Sequence, residues 1–255
     1  MDGFSFCIIN KNTKEIRDIN HFSFPNKSTS PENLLKNVTE LFKTETLLKK
    51  GYNSVNITHV NNLSTLVPKP LFDPKHLKNY IQYSSKTYIN DYIVYDEIEN
   101  YDLVNVYIPF VNLNNFFLEK FGSFEYKHFS TIFIESILNT YKFSEQAHMF
   151  VNVSENHFEL VVINNNKLLF YNSFDYQTKE DFIYYLLFTA EQLELNPEKF
   201  ELTLLGDISE ETENYKIAYT YIRNINLLEN KSNYSFEAKI SEPTKRKFFT
   251  LLNQY

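Results

Sequence analysis

At 255 residues, 43% hydrophobic and 22% charged, the chain has the makeup of a globular protein, long enough for one large core or two medium ones. Its formal net charge of -7 at pH 7 works against non-specific attraction to nucleic acid or anionic lipid, and its single cysteine excludes an internal disulfide framework and a cysteine-built zinc site. No apolar run nears the ~18 residues of a membrane span and no basic-then-apolar segment opens the chain, so a cytoplasmic location is expected.

Residues 2 to 24, DGFSFCIINKNTKEIRDINHFSF, read as a strand, a polar turn and a second strand. Ser30-Pro31 then starts a helix, with Ser as N-cap and Pro in the first helical position. Leu34, Leu35, Val38, Leu41, Phe42 and Leu48 form its apolar stripe, and Gly51 is expected to close it. Strands are expected over residues 54–58 and at Leu66-Val67-Pro68, the latter as an edge piece. Asp73-Pro74 should open a second helix through about Tyr83. Strands over 92–96 and 103–108 flank a Glu97-to-Asn100 turn, and a helix through Leu113, Phe116, Phe117 and Phe121 ends at Gly122. A further strand and a helix over 132–141 follow.

Met149 to Val153 reads as a strand joined by Ser154-Glu155-Asn156 to a hairpin, NHFELVVINNNKLLFYNSF, that matches the opening one. Thr178 and Asp181 form a capping box for a helix whose Tyr184, Tyr185 and Phe188 lie off the main stripe, which predicts a helix covered on both sides. FELTLLG, residues 200–206, reads as a buried parallel strand. The order strand, turn, strand, helix, strand thus occurs twice, and an internal duplication explains it economically. The first copy lacks the leading strand that residues 149–153 supply in the second, as if the reading frame started late. The expected division is 1–144 and 145–255, with no Gly/Ser or Pro linker between the halves.

This order resembles the actin, sugar kinase and chaperone ATPase superfamily. The stretches DGFSFCIIN, LVPKPLFD, MFVNVSENHFELVVINNNKLLFYNSF and FFTLLNQY resemble a bacterial family of unknown function with an actin-like ATPase fold. The implied fold class is α/β with α+β character: two duplicated ribonuclease H-like, actin-like halves, each a mixed sheet with flanking helices. In that superfamily, Asp-x-Gly turns hold phosphate and organise magnesium. Here the matching turn carries Asn152, Ser154 and Asn156, the adenosine position keeps one glycine in Gly206-Asp207, and the first half offers only Asp2-Gly3.

The whole chain holds four glycines, so a doubled phosphate cradle has almost no material, and there is no P-loop or dinucleotide fingerprint. Asn152, Ser154, Asn156, Gly206 and Asp207 are therefore read as a vestigial nucleotide cleft, with no catalytic residue, metal or cofactor assigned. Gly206 also reads as a plain strand-end turn. A ribonuclease H-type metal site would draw on Asp207 with Glu180, Asp181 or Glu191, but its first-strand carboxylate is Asn152. His157 and Glu159 share a strand face and are read as ordinary exposed residues. Lys245-Arg246-Lys247 is read as the solvated side of a terminal element.

The leading expectation is a non-catalytic interaction or scaffold protein with a protein partner. A divergent ATP-binding kinase or ATPase is the alternative, and an RNA-associated accessory factor the third reading. Nucleic acid is disfavoured as a partner because 24 Phe and 19 Tyr sit mostly at core spacings, without interleaved basic residues.

Overall fold

The computed structural model describes residues 3–24, 30–88, 90–229 and 234–254. Contacts divide the chain into two units: 1–9, 17–135 and 253–255 form the first, 10–16 and 136–252 the second.

The first unit begins with β1 (Gly3–Asn10) and β2 (Glu15–Ser23), a pair whose tip belongs to the second unit. Helix α1 (Pro31–Thr44) starts where the Ser30 side chain accepts from the Asn33 amide at 3.3 Å. It ends at Glu45 rather than at Gly51, because a 3-10 turn, Leu47–Lys49, takes the chain away first. Next come β3 (Asn56–His59), β4 (Ser64–Pro68), the short α2 (Leu77–Ile81), β5 (Val94–Ile98), β6 (Leu103–Tyr107), α3 (Val111–Phe121) and β7 (Glu125–His128). The expected helix from Pro74 to Tyr83 is only five residues of α-helix after a 3-10 turn. The β5–β6 turn sits two residues later than expected, with Ile98 paired to Leu103. Gly122 caps α3 at φ 76°, a left-handed conformation that disfavours side chains.

Strands β3 and β7 pair in parallel, and β4, β6 and β5 form an antiparallel sheet in that order. Leu34, Val38 and Phe42 of α1 meet Leu113 and Phe117 of α3, with Phe4, Phe6 and Ile57 against them. The Phe42 ring stands edge-on to Phe116 at 5.1 Å and to Phe121 at 5.8 Å, arrangements that aromatic quadrupoles favour.

Helix α4 (Phe129–Thr140) is started by a buried polar network. One oxygen of Asp96 accepts from the His128 amide at 2.8 Å and from the Thr131 hydroxyl at 2.7 Å; the other accepts from Tyr107 at 3.0 Å. Burial raises the Asp96 carboxyl above its ordinary range, against these bonds. The Ser130 amide donates to Nδ1 of His128 at 3.2 Å, so Nε2 carries the hydrogen and donates to the Asn61 carbonyl at 3.1 Å. His59 repeats the arrangement, its Nδ1 receiving the Phe110 amide at 3.4 Å while Nε2 donates to Asn114 Oδ1 at 2.9 Å. Both rings are neutral by construction, and burial holds His128 down to about 3 and His59 down to about 4.

The second unit is built on a five-stranded sheet of β8 (His148–Val153), β9 (His157–Asn164), β10 (Lys167–Asp175), β11 (Glu201–Gly206) and β12 (Asn224–Leu227). Its order is β10-β9-β8-β11-β12; β9 runs antiparallel to its neighbours, and β11 is parallel to both β8 and β12. Asn165 and Asn166, both at positive φ, make the tight β9–β10 turn, a conformation that asparagine tolerates better than most residues. Helix α5 (Lys179–Gln192) carries the expected capping box, and α6 (Glu213–Tyr221) packs beside it. Met149, Val151, Phe158, Leu160 and Leu202 face Phe182, Ile183 and Leu186 of α5. Contrary to expectation, α5 is covered on one side only: Tyr184 is 58% and Phe188 44% exposed, and the two rings stack on each other. The two-residue β13 (Ser235–Phe236) pairs with Glu15 and Ile16, and α7 (Glu242–Lys247) follows.

Both first-unit histidines bind fewer protons folded than unfolded, so their contribution is complete above pH ~6.5 and is lost as pH falls through that value toward their folded values. The raised carboxyl of Asp96 acts in the opposite sense, in the more acidic carboxylate range. We expect urea denaturation of the first unit to show about 2 kcal/mol lost per histidine between pH 7 and pH 5. His59→Asn should flatten that slope; an unchanged slope would mean that the ring titrates alike in both states.

Candidate functional site

Parallel pairing of β8 with β11 sets Gly206 directly opposite Val153, where both strands end. Gly206 adopts φ +90°, and a Cβ there would overlap the Val153 carbonyl oxygen, stand 2.7 Å from the Val153 nitrogen and 3.0 Å from Asn152 Oδ1. Only glycine fits. The next amide, of Asp207, donates to the Val153 carbonyl at 2.7 Å and ties the two strand ends together.

The turn after β8 is closed in the same manner. The Ser154 amide donates to the His157 carbonyl at 2.9 Å, and the Tyr176 hydroxyl donates to the Ser154 carbonyl at 2.7 Å. The Tyr176 amide donates to the Asn156 carbonyl at 3.0 Å, while Asn214 Nδ2 supports the phenol oxygen at 3.0 Å. Burial raises the Tyr176 phenol above its usual range, so it acts as a neutral donor. Asn156 Nδ2 is buried and meets no acceptor among the described residues.

Asn152, Ser154, Asn156, Gly206 and Asp207 thus gather at one end of the sheet, and Asp2 lies outside the described residues. Several of their polar groups are spent on neighbouring residues of the same unit. Asn152 Nδ2 donates to Glu159 Oε2 at 2.9 Å, and Glu159 Oε1 lies 3.3 Å from His157 Nε2. Asp207 is exposed and paired with Lys247 at 2.8 Å. Asp181, a candidate metal ligand, accepts from the Gln177 and Thr178 amides, and those bonds hold its carboxyl below the usual range. Among the described residues, no three His, Cys, Asp or Glu side chains converge on a metal position.

Two features escaped the sequence reading. Glu159 is 5% exposed, not a surface residue. The signal lay in its parity: Glu159, Val161 and Ile163 share one face of β9, and that face is covered. The basic run is also not a plain solvated side, since Lys245 lies over the Phe236 ring at 4.4 Å and Lys247 reaches Asp207. On the same sheet face, His148 stacks on Phe150 at 4.0 Å, and its Nε2 lies 2.7 Å from the Thr203 hydroxyl. Burial lowers its ring to about 4.

Known proteins bear on this arrangement. The family described as "Protein of unknown function (DUF3822)" matches residues 1–225, and the chain belongs to it. Among solved structures, a Bacteroides thetaiotaomicron protein "with actin-like ATPase fold and unknown function" is 25% identical, with 89% of this chain and 87% of that one covered at a TM-score of 0.75. A structure of the "PilM-PilN type IV pilus biogenesis complex" matches at a TM-score of 0.60 and 12% identity, covering 99% and 94%. No curated protein matches. The fold is therefore mixed α/β and actin-like. Among the described residues, no helix is long and apolar enough to cross a membrane.

Asn152→Asp should destabilise the protein by roughly 2–4 kcal/mol, because it removes the donor to buried Glu159 and sets a second carboxylate beside it. Gly206→Ala should cost about as much, through overlap with Val153 at a positive φ. Chemical denaturation measures both; a loss below ~1 kcal/mol for either would mean that the strand ends are looser than their contacts imply.

Proposed function

We propose that this member of the family is a non-catalytic interaction or scaffold protein with an actin-like fold, whose nucleotide cleft is vestigial. One observation carries the reading. The amides at Ser154 and Asp207, two of the donors these strand-end turns could offer a phosphate, already donate to His157 and Val153 within the unit. A phosphate cradle works by presenting such groups unpaired to the ligand. The carboxylate position is Asn152, engaged by Glu159, and Asp207 is paired with Lys247. The likeness to a protein solved within a pilus biogenesis complex supports a role held through a protein partner.

We read the chain further as two related halves, 1–144 and 145–255. In favour stands the repeated order: a hairpin, an N-capped helix (Ser30, Thr178), a strand, a helix, and a strand parallel to the previous one. Between β3 and α3 the first half carries the β4–β6–β5 sheet as an insertion.

The test is thermal unfolding with and without 1 mM magnesium-ATP. A site with a dissociation constant near 10 μM would add about 2.7 kcal/mol and raise Tm by several degrees. No shift is expected. A saturable rise, with phosphate release on longer incubation, would replace this reading by that of a divergent ATPase or kinase.

A further inference from the structure

Strand β4 ends the β4–β6–β5 sheet. Its register with β6 fixes which groups remain free. The Leu63 carbonyl accepts from Ile108 and the Lys69 amide donates to Asp102, so odd-numbered residues bond to β6. Ser64, Leu66 and Pro68 therefore turn their backbone outward, and no described residue hydrogen-bonds to them there. Beside this edge runs a groove of about 440 Å³, lined by Thr65 to Pro68 on one side and by Leu71, Asn79, Tyr80 and Tyr83 on the other. The apolar wall is open to solvent, with Leu71 71% and Tyr83 87% exposed.

The segment that carries Asn79, Tyr80 and Tyr83 is also basic. From Pro74 to Tyr88 the chain carries Lys75, Lys78 and Lys86 and no acidic residue, although the whole protein is acidic. Lys75 and Lys78 are both exposed, and Lys78 directly precedes the groove residues Asn79 and Tyr80. Lys69, by contrast, is already neutralised by Glu97 at 2.6 Å.

We propose that this groove binds an extended peptide segment of alternating apolar and acidic residues, paired to β4 as a fourth strand. The identification rests on reading the protein as an interaction protein. A free strand edge selects an extended chain, because only that shape repeats its donors and acceptors at the two-residue spacing of Ser64 and Leu66. Apolar side chains meet Leu71, Tyr80 and Tyr83, and acidic ones answer the positive charge of the segment that carries this wall. Pro68 offers an acceptor but no donor, which limits the pairing to a short stretch.

The probe is a short fluorescein-labelled synthetic peptide of alternating valine and glutamate, followed by anisotropy on the full chain. Binding is expected to weaken about tenfold or more in Leu71→Asp and in Tyr83→Ser. Both side chains are exposed, so the melting temperatures should hold and a folding defect is separable from lost binding. N-methylation of alternate peptide nitrogens should abolish binding, and hydrogen exchange at the Ser64 and Leu66 amides should slow when the peptide is present. No binding, equal binding of a valine-lysine peptide, or no effect of the two substitutions would overturn the proposal. So would sedimentation showing that Leu71→Asp turns a dimer into a monomer, since the groove would then be a self-interface. A failed peptide assay beside a null magnesium-ATP shift removes this site alone, whereas a positive ATP shift removes the interaction reading itself.

Discussion

The parallel contact between β8 and β11 governs the second unit. Two strand ends meet there so closely that one residue must lack a side chain, and the Asp207 amide crosses to the Val153 carbonyl. Once that bond is made, the chain leaving β11 is directed by Gly206 at φ +90°, and the turn leaving β8 closes on His157. The Ser154 and Asp207 amides at this end of the sheet are therefore already satisfied. Glycine here serves strand packing. The same residue type in a phosphate turn serves an empty space, and the difference is legible from what its missing Cβ would touch.

The polar interior follows a related economy. A neutral histidine with one donor and one acceptor suits a buried place flanked by a backbone amide and a carbonyl, and His59 and His128 are both placed that way. Proton uptake would set a second N-H against an amide that is already a donor, so desolvation and local geometry act in one direction. Asp96 does the complementary task, taking up the otherwise unbonded His128 amide where α4 begins. These groups position α4 by hydrogen bonds where α1 and α3 are positioned by phenylalanine rings.

Elements whose determinants are local were readable in the sequence. Ser30-Pro31, the Thr178–Asp181 box and Gly122 each act within one helical turn, and each helix boundary stands where those residues put it. The sheet order and the gathering of Asn152, Ser154, Gly206 and Asp207 followed from the recurring order of elements and from the family resemblance. What failed turned on competing local signals and on which face was covered. Gly51 resembled a helix stop, but the Leu47–Lys49 turn intervened. The α5 aromatics suggested cover on two sides; instead Tyr184 and Phe188 shield part of each other. Glu159 was misjudged because its chemistry outweighed its parity, although a carboxylate can lie on a covered face when Asn152 and His157 meet both oxygens.

Edge strands show how the fold manages its remaining backbone polarity. On β10, the far edge of the five-stranded sheet, the ladder shifts between Leu168 and Phe170, an irregularity that interrupts regular pairing with another strand. The β4 edge is treated differently. Pro68 removes a donor at one end only, so Ser64 and Leu66 keep a short register that a strand can match without offering a long template for aggregation. An edge of that length supplies few main-chain bonds, each with a small net gain in water. Any chain held there must draw most of its affinity from side chains, and thus from the exposed tyrosine and leucine wall beside the strand. That division places specificity in Leu71, Tyr83 and the lysines of the segment from Pro74 to Tyr88, exposed residues that can vary without disturbing the sheet beneath them.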